Sequence, residues 1–409
     1  MLDVESLRSC FPALGRAVDG RLPVFLDGPG GTQVPQSVAD AVSRYLTTSN
    51  ANHGGAFRTS RLSDEVCHAA HAACADLLHA PSPDEIVFGQ NMTSLTFHLS
   101  RALGRTWKTG DEVLLTRLDH DANVSPWVLA ARDAGAVVRF ADFRPEDCTL
   151  DLDDLRRRLT PRTRLVAVTC ASNAVGSIPD VAAVTRLAHE AGALVFLDAV
   201  HYAPHGVIDV RGWGCDFLAC SAYKFFGPHV GVLWGRRGLL ESLPAYKVRP
   251  ASESPPDRWM TGTQNHEGLA GVLAAVDYLA DLGGTEATRR HRLVRGMTAV
   301  RDHEADLCRR LLRGLAERPR FRVWGVTQPE RVGERTPTVA LTDRHRRPRE
   351  LAVYLAEREI YAWDGNFYAV NVTERLGLEE RGGLLRLGLV HYNTAAEVDR
   401  LLAALDELP

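Results

Sequence analysis

The chain has 409 residues, 45% of them hydrophobic, and a formal net charge of -3. That length can bury a large core and a smaller one, and the near-balanced charge gives no field that would favour nucleic acid or a membrane surface. No apolar run is long enough to span a bilayer, and the start Met1-Leu-Asp-Val-Glu-Ser6 lacks the basic and apolar regions of a signal peptide, so a cytoplasmic location is expected.

In chain order, short apolar runs predict strands at Glu85–Gly89, Glu112–Leu115, Ala136–Phe140, Arg164–Thr169, Ala193–Leu197, Phe217–Cys220 and Gly231–Trp234. Helical patterns separate most of them, at Ser63–Leu78, Ala122–Ala134 and Val181–Ala191. This alternation predicts an α/β large domain with a mostly parallel seven-stranded sheet between helices. From about Gly268 the pattern changes. Helices are predicted at Leu269–Leu282 and Thr285–Glu317, strands at Phe321–Val326 and Thr338–Thr342, and a helix at Arg349–Arg358. Strand Leu384–Leu389 and helix Ala395–Leu405 close a smaller α+β domain. The expected division is an N-terminal segment 1–25 packing on the small domain, a large domain 26–268 and a small domain 269–409.

The eight cysteines are scattered, form no CxxC pair, and do not predict a disulfide framework. The fifteen histidines include no HExxH spacing, so no metal site is expected.

The chemistry gathers at predicted strand ends. Asp198 closes the run Ala193–Leu197, and Lys224 follows Phe217–Cys220 in Ser221-Ala-Tyr-Lys-Phe-Phe-Gly-Pro-His229. A carboxylate and a lysine placed so can meet across pyridoxal 5'-phosphate (PLP), which needs a Schiff-base lysine and an acid against its pyridine nitrogen. A strand-end cap and a surface lysine are the plain alternative. In Phe88-Gly-Gln-Asn-Met-Thr-Ser94 a strand runs into a helix, where Asn91, Met92 and Thr93 offer donors to a phosphate or an ordinary helix cap. His120, at a strand exit in Leu118-Asp-His-Asp-Ala-Asn123, can stack on a flat ring. Asn173, after Thr169-Cys-Ala-Ser172, can donate an N–H to a phenolate or carboxylate, or simply mark a turn with Gly176. His201 stands three residues past Asp198 and could reach the cofactor's 3'-oxygen; Gly262-Thr263 lies in a polar loop able to bind phosphate. Arg386 is embedded in the apolar run Leu384–Leu389, where it needs an anion: a substrate carboxylate or an internal ion pair.

Together these residues resemble the class V aminotransferase family of fold-type-I PLP enzymes, and within it the cysteine desulfurase-like and isopenicillin N epimerase-like subgroup. The resemblance covers nearly the whole chain. It implies Lys224 as the Schiff-base lysine and proton shuttle, Asp198 on the pyridine nitrogen, His120 stacked on the ring and His201 at the 3'-oxygen. It further implies Thr93 and Ser221 at the phosphate, Gly262-Thr263 supplied across a homodimer, and Asn173 with Arg386 at the amino acid carboxylate. Two departures stand out. Tyr223 precedes the lysine where the family often has histidine; its phenol can bond phosphate but is no neutral-pH base. Sulfur-relay desulfurases carry a catalytic cysteine on a small-domain loop, whereas the corresponding stretch Ile360–Val370 has none. Its Trp363, Phe367 and Tyr368 are expected to form a lid over a larger or less polar substrate, or else small-domain core. The resulting expectation is a C–S β-lyase acting on L-cysteine or a cysteine S-conjugate. Similar lyases serve natural-product pathways, including sulfur trimming in lincosamide assembly. Decarboxylation-coupled oxidative deamination, epimerisation and amino transfer are the alternatives.

Overall fold

The computed structural model describes residues 2–285 and 288–409. A short strand β1 (Val24–Phe25) follows the N-terminal segment. Helices α1 (Gln36–Thr48) and α2 (Arg58–Leu78) lead to β2 (Ile86–Gly89) and α3 (Met92–Gly104). Then come β3 (Glu112–Thr116), α4 (Ser125–Ala134), β4 (Val137–Ala141), β5 (Thr163–Thr169), α5 (Val181–Glu190), β6 (Leu194–Asp198), β7 (Phe217–Ser221) and β8 (Gly231–Gly235). The seven strands form one sheet in the order β2-β8-β7-β6-β5-β3-β4, in which β8 alone runs antiparallel to its neighbours. Each is bracketed within a residue or two by the sequence expectation. Except for the partly exposed edge strand β4, the reason is that strands covered on both faces read as largely apolar runs.

The sheet topology positions the site. Parallel strands expose their carboxyl ends along one edge, and ligands of open α/β sheets bind there. Residues that follow β2, β3, β5, β6 and β7 are therefore delivered to one place. Gly231 makes one of these approaches possible: a Cβ there would come within 2.5 Å of the Asn91 backbone, so only glycine lets β8 pass so near the start of α3.

Downstream lie α6 (His266–Asp281) and α7 (Arg289–Ala316). The expected helix Thr285–Glu317 includes residues 286 and 287, which lie outside the described residues. The second sheet, ordered β9-β10-β13-β12, is antiparallel throughout and comprises β9 (Phe321–Trp324), β10 (Thr338–Asp343), β12 (Trp363–Gly365) and β13 (Leu384–Gly388). Helices α8 (Pro348–Ala356), α9 (Val370–Arg375) and α10 (Ala395–Asp406) complete the chain, and β11 (Ile360–Tyr361) pairs in parallel with β1.

Two organisational expectations need correction. A boundary between residues 268 and 269 cuts through α6, which packs on α1 and α2 and buries Leu269, Val272, Val276 and Leu279 in the same core as the large sheet. The helix is apolar on most sides because helices cover it on the large sheet, so its composition changes before the fold does. The N-terminal segment touches both units rather than the small one alone. Phe11 packs edge-on against Phe226, Tyr278 and Tyr392, while Arg8 pairs with Glu397 of α10 at 2.9 Å. Among the described residues no helix is long and apolar enough to cross a membrane.

Candidate active site

A cavity of about 1070 Å³ opens at the carboxyl edge of the large sheet, under the small sheet. Lys224 lies in its wall, one short turn after β7, and its Nζ donates to the Pro29 carbonyl. Burial and the nearby Arg386 guanidinium push its amine down to about 7, against the pull of Asp198 and Asp27. A lysine in that state is a usable nucleophile and base near neutral pH.

Asp198 ends β6 at 3% exposure. Its Oδ1 accepts the Val200 N–H at 2.9 Å. Burial pushes the carboxyl up to about 6, with the Val200 N–H and Lys224 opposing. An ionised carboxylate there lacks a full cationic partner, which is the condition a protonated pyridine nitrogen would relieve.

At the start of α3, Asn91 is a true N-cap: its side chain accepts the Ser94 N–H at 2.9 Å, and Ser94 Oγ accepts the Asn91 N–H at 3.3 Å. Asn91 thus caps the helix and also lines the cavity. The Met92 N–H is given to Ser221 Oγ at 2.9 Å, which ties the end of β7 to the helix start. Met92 is therefore not a free backbone donor. Thr93, exposed and lining the cavity, is left at the positive end of the helix dipole. Tyr223 stacks on His229, rings 4.8 Å apart and 11° from parallel, on the same wall. Gly262 and Thr263 are exposed and do not line this cavity.

His120 lines the cavity with its Nδ1 accepting the Ala122 N–H at 3.0 Å. Burial, then the Lys224 charge, push it down to about 4, so the ring is neutral near pH 7. His201 is buried, and its Nε2 lies 3.2 Å from Thr336 Oγ1 and 3.0 Å from Thr338 Oγ1. Those hydroxyls hold the imidazole, and burial keeps it well below its usual range.

Arg386 on β13 is 4% exposed. Its Nη1 donates to the Asn173 carbonyl at 2.8 Å, its guanidinium carbon sits 4.0 Å from the centre of the Phe367 ring, and its Nε has no partner. No carboxylate forms a direct ion pair with it among the described residues; the Asp27 charge acts on it only through space. Burial lowers its pKa to about 9. Asn173 gives an N–H to the Phe367 carbonyl at 2.9 Å, and its Oδ1 is buried without a partner.

The stretch Ile360–Val370, expected to carry a lid, runs through β11 and the edge strand β12 and then turns. Trp363 and Tyr368 are 51% and 72% exposed and line the cavity with Phe367, so they are not small-domain core. Phe367 and Tyr368 both have φ of +57°, a left-handed conformation costly for aromatic residues. Two bonds to the large unit hold the turn: Asn173 Nδ2 to Phe367 O, and the Asp121 N–H to Tyr368 O at 2.7 Å. Tyr368 also faces His120, ring centres 5.6 Å apart.

Sequence reasoning missed Pro29, Phe97, Asp121 and His229, all of which line the cavity. The glycine-rich Gly28-Pro-Gly-Gly31 was a signal for close chain approach; the others carried none.

The sequence model of the family described as Aminotransferase class-V matches residues 24–401. The chain belongs to the class V aminotransferase family. It is 33% identical to "Aminotransferase-like protein FGM3" of Gibberella zeae, with 98% of each chain covered. It is 31% identical to a "Probable cysteine desulfurase" of Streptomyces coelicolor, covering 100% of this chain and 97% of the relative. Among solved structures, a cysteine desulfurase from Thermococcus onnurineus NA1 superposes with a TM-score of 0.88 at 25% identity, covering 100% of this chain and 98% of the other. The Escherichia coli cysteine desulfurase CsdA gives 0.85 at 28% identity, covering 100% and 98%.

This class V chain has the fold-type-I architecture and depends on PLP. The cavity fits the group: a lysine of lowered pKa, a buried acid without a full counter-charge, a helix start, and orphaned polar atoms on Asn173 and Arg386. Among the described residues no group of three metal-ligating side chains exists.

Proposed function

We propose that this class V enzyme is a C–S β-lyase that acts on a cysteine S-conjugate without an enzyme persulfide. The observation that carries the reading is the pairing of this site with the absence of a thiol in it: no cysteine among the described residues lines the cavity. The one cysteine beyond residue 269, Cys308, is buried on α7 in the small-unit core, where burial pushes its thiol up. A sulfur-relay nucleophile has to be exposed and of low pKa.

In this reading Thr93 and Ser221 would hold the cofactor phosphate with Asn91 and Tyr223, Thr263 of the partner subunit would contribute across a homodimer, and Asp198 would hold the ring nitrogen. His120 would cover one face of the ring, and His201 would serve the 3'-oxygen. PLP, when bound, supplies an electron sink for a bond at Cα. Arg386 and Asn173 receive the substrate carboxylate. Lys224 Nζ accepts the α-proton, the C–S bond breaks and the thiol leaves with a proton. One water converts the remaining three-carbon fragment to pyruvate and ammonia. Trp363, Phe367 and Tyr368 shield the reacting bonds from bulk water and meet the sulfur substituent.

The test is to supply L-cysteine and bulky S-substituted cysteines to the enzyme and follow thiol and pyruvate together. Pyruvate and thiol in equal amounts from a conjugate support the lyase. Carbon dioxide release, α-proton exchange without thiol, or amino transfer to an added keto acid would instead assign one of the other reactions at Cα.

A further inference from the structure

The chain just after β1 brings a further charged group beside the site. After β1, Asp27 forms a parallel bridge with Gly388 at the end of β13, and the Gly388 N–H donates to Leu26 O at 2.7 Å. The two chains are in close contact: a Cβ on Gly388 would meet Pro29 Cδ at 1.9 Å, and one on Gly28 would meet Val390 Cγ1 at 2.8 Å. Arg386 lies two residues before Gly388 on that strand and so leaves the same face. Lys224 donates to the carbonyl of Pro29, two residues past Asp27. Asp27 is thereby held near both cations of the site. Its Oδ1 is buried and has no hydrogen-bond partner, and neither has Arg386 Nε. Two opposite charges, each incompletely satisfied and fixed by separate strands, are an arrangement that a third charged group can rebalance.

We propose that Asp27 is the exchangeable counter-ion of Arg386, balancing the guanidinium while the carboxylate site is empty and taking up a proton from solvent when a substrate carboxylate binds there. Asp27 is a positioning residue in this role, since it acts through Arg386. The inference rests on the reading of Arg386 as the carboxylate receiver.

The groups that face Asp27 give the sign. Burial pushes its carboxyl up to about 6, while Arg386 and Lys224 pull it down. The phenols of Tyr361 and Tyr392, which also feel its charge, are pushed upward and stay neutral. A substrate carboxylate on Arg386 cancels part of the downward pull and adds a negative neighbour, so Asp27 holds its proton more tightly. Carboxylate affinity then falls as pH rises from about 6 to 8, because the proton must be drawn from a scarcer supply.

The probe is 3-(methylthio)propionate, a carboxylate without an amine and so not turned over. Its binding to the cofactor-loaded enzyme is measured by calorimetry in two buffers of different ionisation enthalpy, near neutral pH. Wild type is expected to take up a substantial fraction of a proton, on the order of ~0.5 per site. Asp27→Asn, which keeps the shape, is expected to abolish that uptake, to bind the probe about three- to tenfold tighter, and to lose the pH dependence. Uptake in Asp27→Asn equal to that of wild type would overturn the proposal. Arg386→Met separates this from its premise. Loss of probe binding in that variant, with uptake retained in Asp27→Asn, defeats the Asp27 role alone. Unchanged probe binding in Arg386→Met defeats both.

Discussion

Replacing Arg386 by methionine separates a substrate-binding arginine from a structural one, because the two roles predict opposite signs. The side chain is 4% exposed, makes one hydrogen bond to the Asn173 carbonyl, rests on the Phe367 ring and makes no direct ion pair, the Asp27 charge reaching it through space. Methionine keeps the length and fills most of the volume. For catalysis, the variant loses a charge-assisted contact to the substrate carboxylate, about 1.5–3 kcal/mol, or roughly a 10- to 150-fold fall in kcat/KM. For stability, it removes a buried cation whose pKa has been depressed to about 9 by burial. The relief of that desolvation offsets the lost hydrogen bond and ring contact, each worth on the order of 1 kcal/mol, and Asp27, whose carboxyl already lies at about 6, takes up a proton once the guanidinium is gone. The melting temperature of the cofactor-free variant is therefore expected to match or exceed that of wild type. A structural ion pair would behave otherwise, since breaking one costs about 3–5 kcal/mol. The assay compares a cysteine S-conjugate with its carboxamide, in wild type and variant, alongside thermal unfolding. The rate loss is expected for the carboxylate alone. A kcat/KM within about twofold of wild type, or a marked drop in melting temperature, would refute the reasoning.

Lys224→Ala is expected to purify without the yellow absorbance of lysine-bound cofactor (roughly 410–430 nm) and without turnover; full activity in that variant would remove the lysine from the mechanism. Asp198→Asn is expected to stabilise the cofactor-free protein near neutral pH while weakening cofactor binding. The folded carboxyl titrates at about 6 rather than 3.8, so the folded state binds its proton more tightly than the unfolded chain does. Its cost is fully present above about pH 6 and fades as pH falls toward 4, a difference on the order of 3 kcal/mol. Denaturant unfolding of both forms at pH 4.5 and 7 checks this, and an equal pH response in the two proteins would count against it. Cys308→Ala is expected to leave pyruvate formation unchanged and to cost stability by about 1 kcal/mol through a small core void; loss of activity out of proportion to folding would reinstate an enzyme thiol.

The sequence alone determined the seven strands of the large sheet, and with them the carboxyl edge at which Asp198, Lys224, His120, Asn173 and the start of α3 gather. Strands buried on both faces leave continuous apolar runs, and polar residues that break them at one end are legible by position. It also determined that an arginine in an apolar strand required an anion. Only the tertiary structure decided that no internal carboxylate bonds directly to Arg386 and that Asp27 is the one brought near it, because the partner of a buried charge comes from a distant segment and not from local pattern. The same holds for the Phe367–Tyr368 turn, whose left-handed backbone is stabilised by Asn173 and the Asp121 N–H, nearly two hundred residues and more away in sequence. Asp27 was invisible for that reason too: a single acid after a two-residue strand acquires its meaning only when β1 is laid against β11 and its continuation against the end of β13. Local periodicity encodes which face of an element is dry, whereas the fields that set pKa values are sums over groups that only folding brings together.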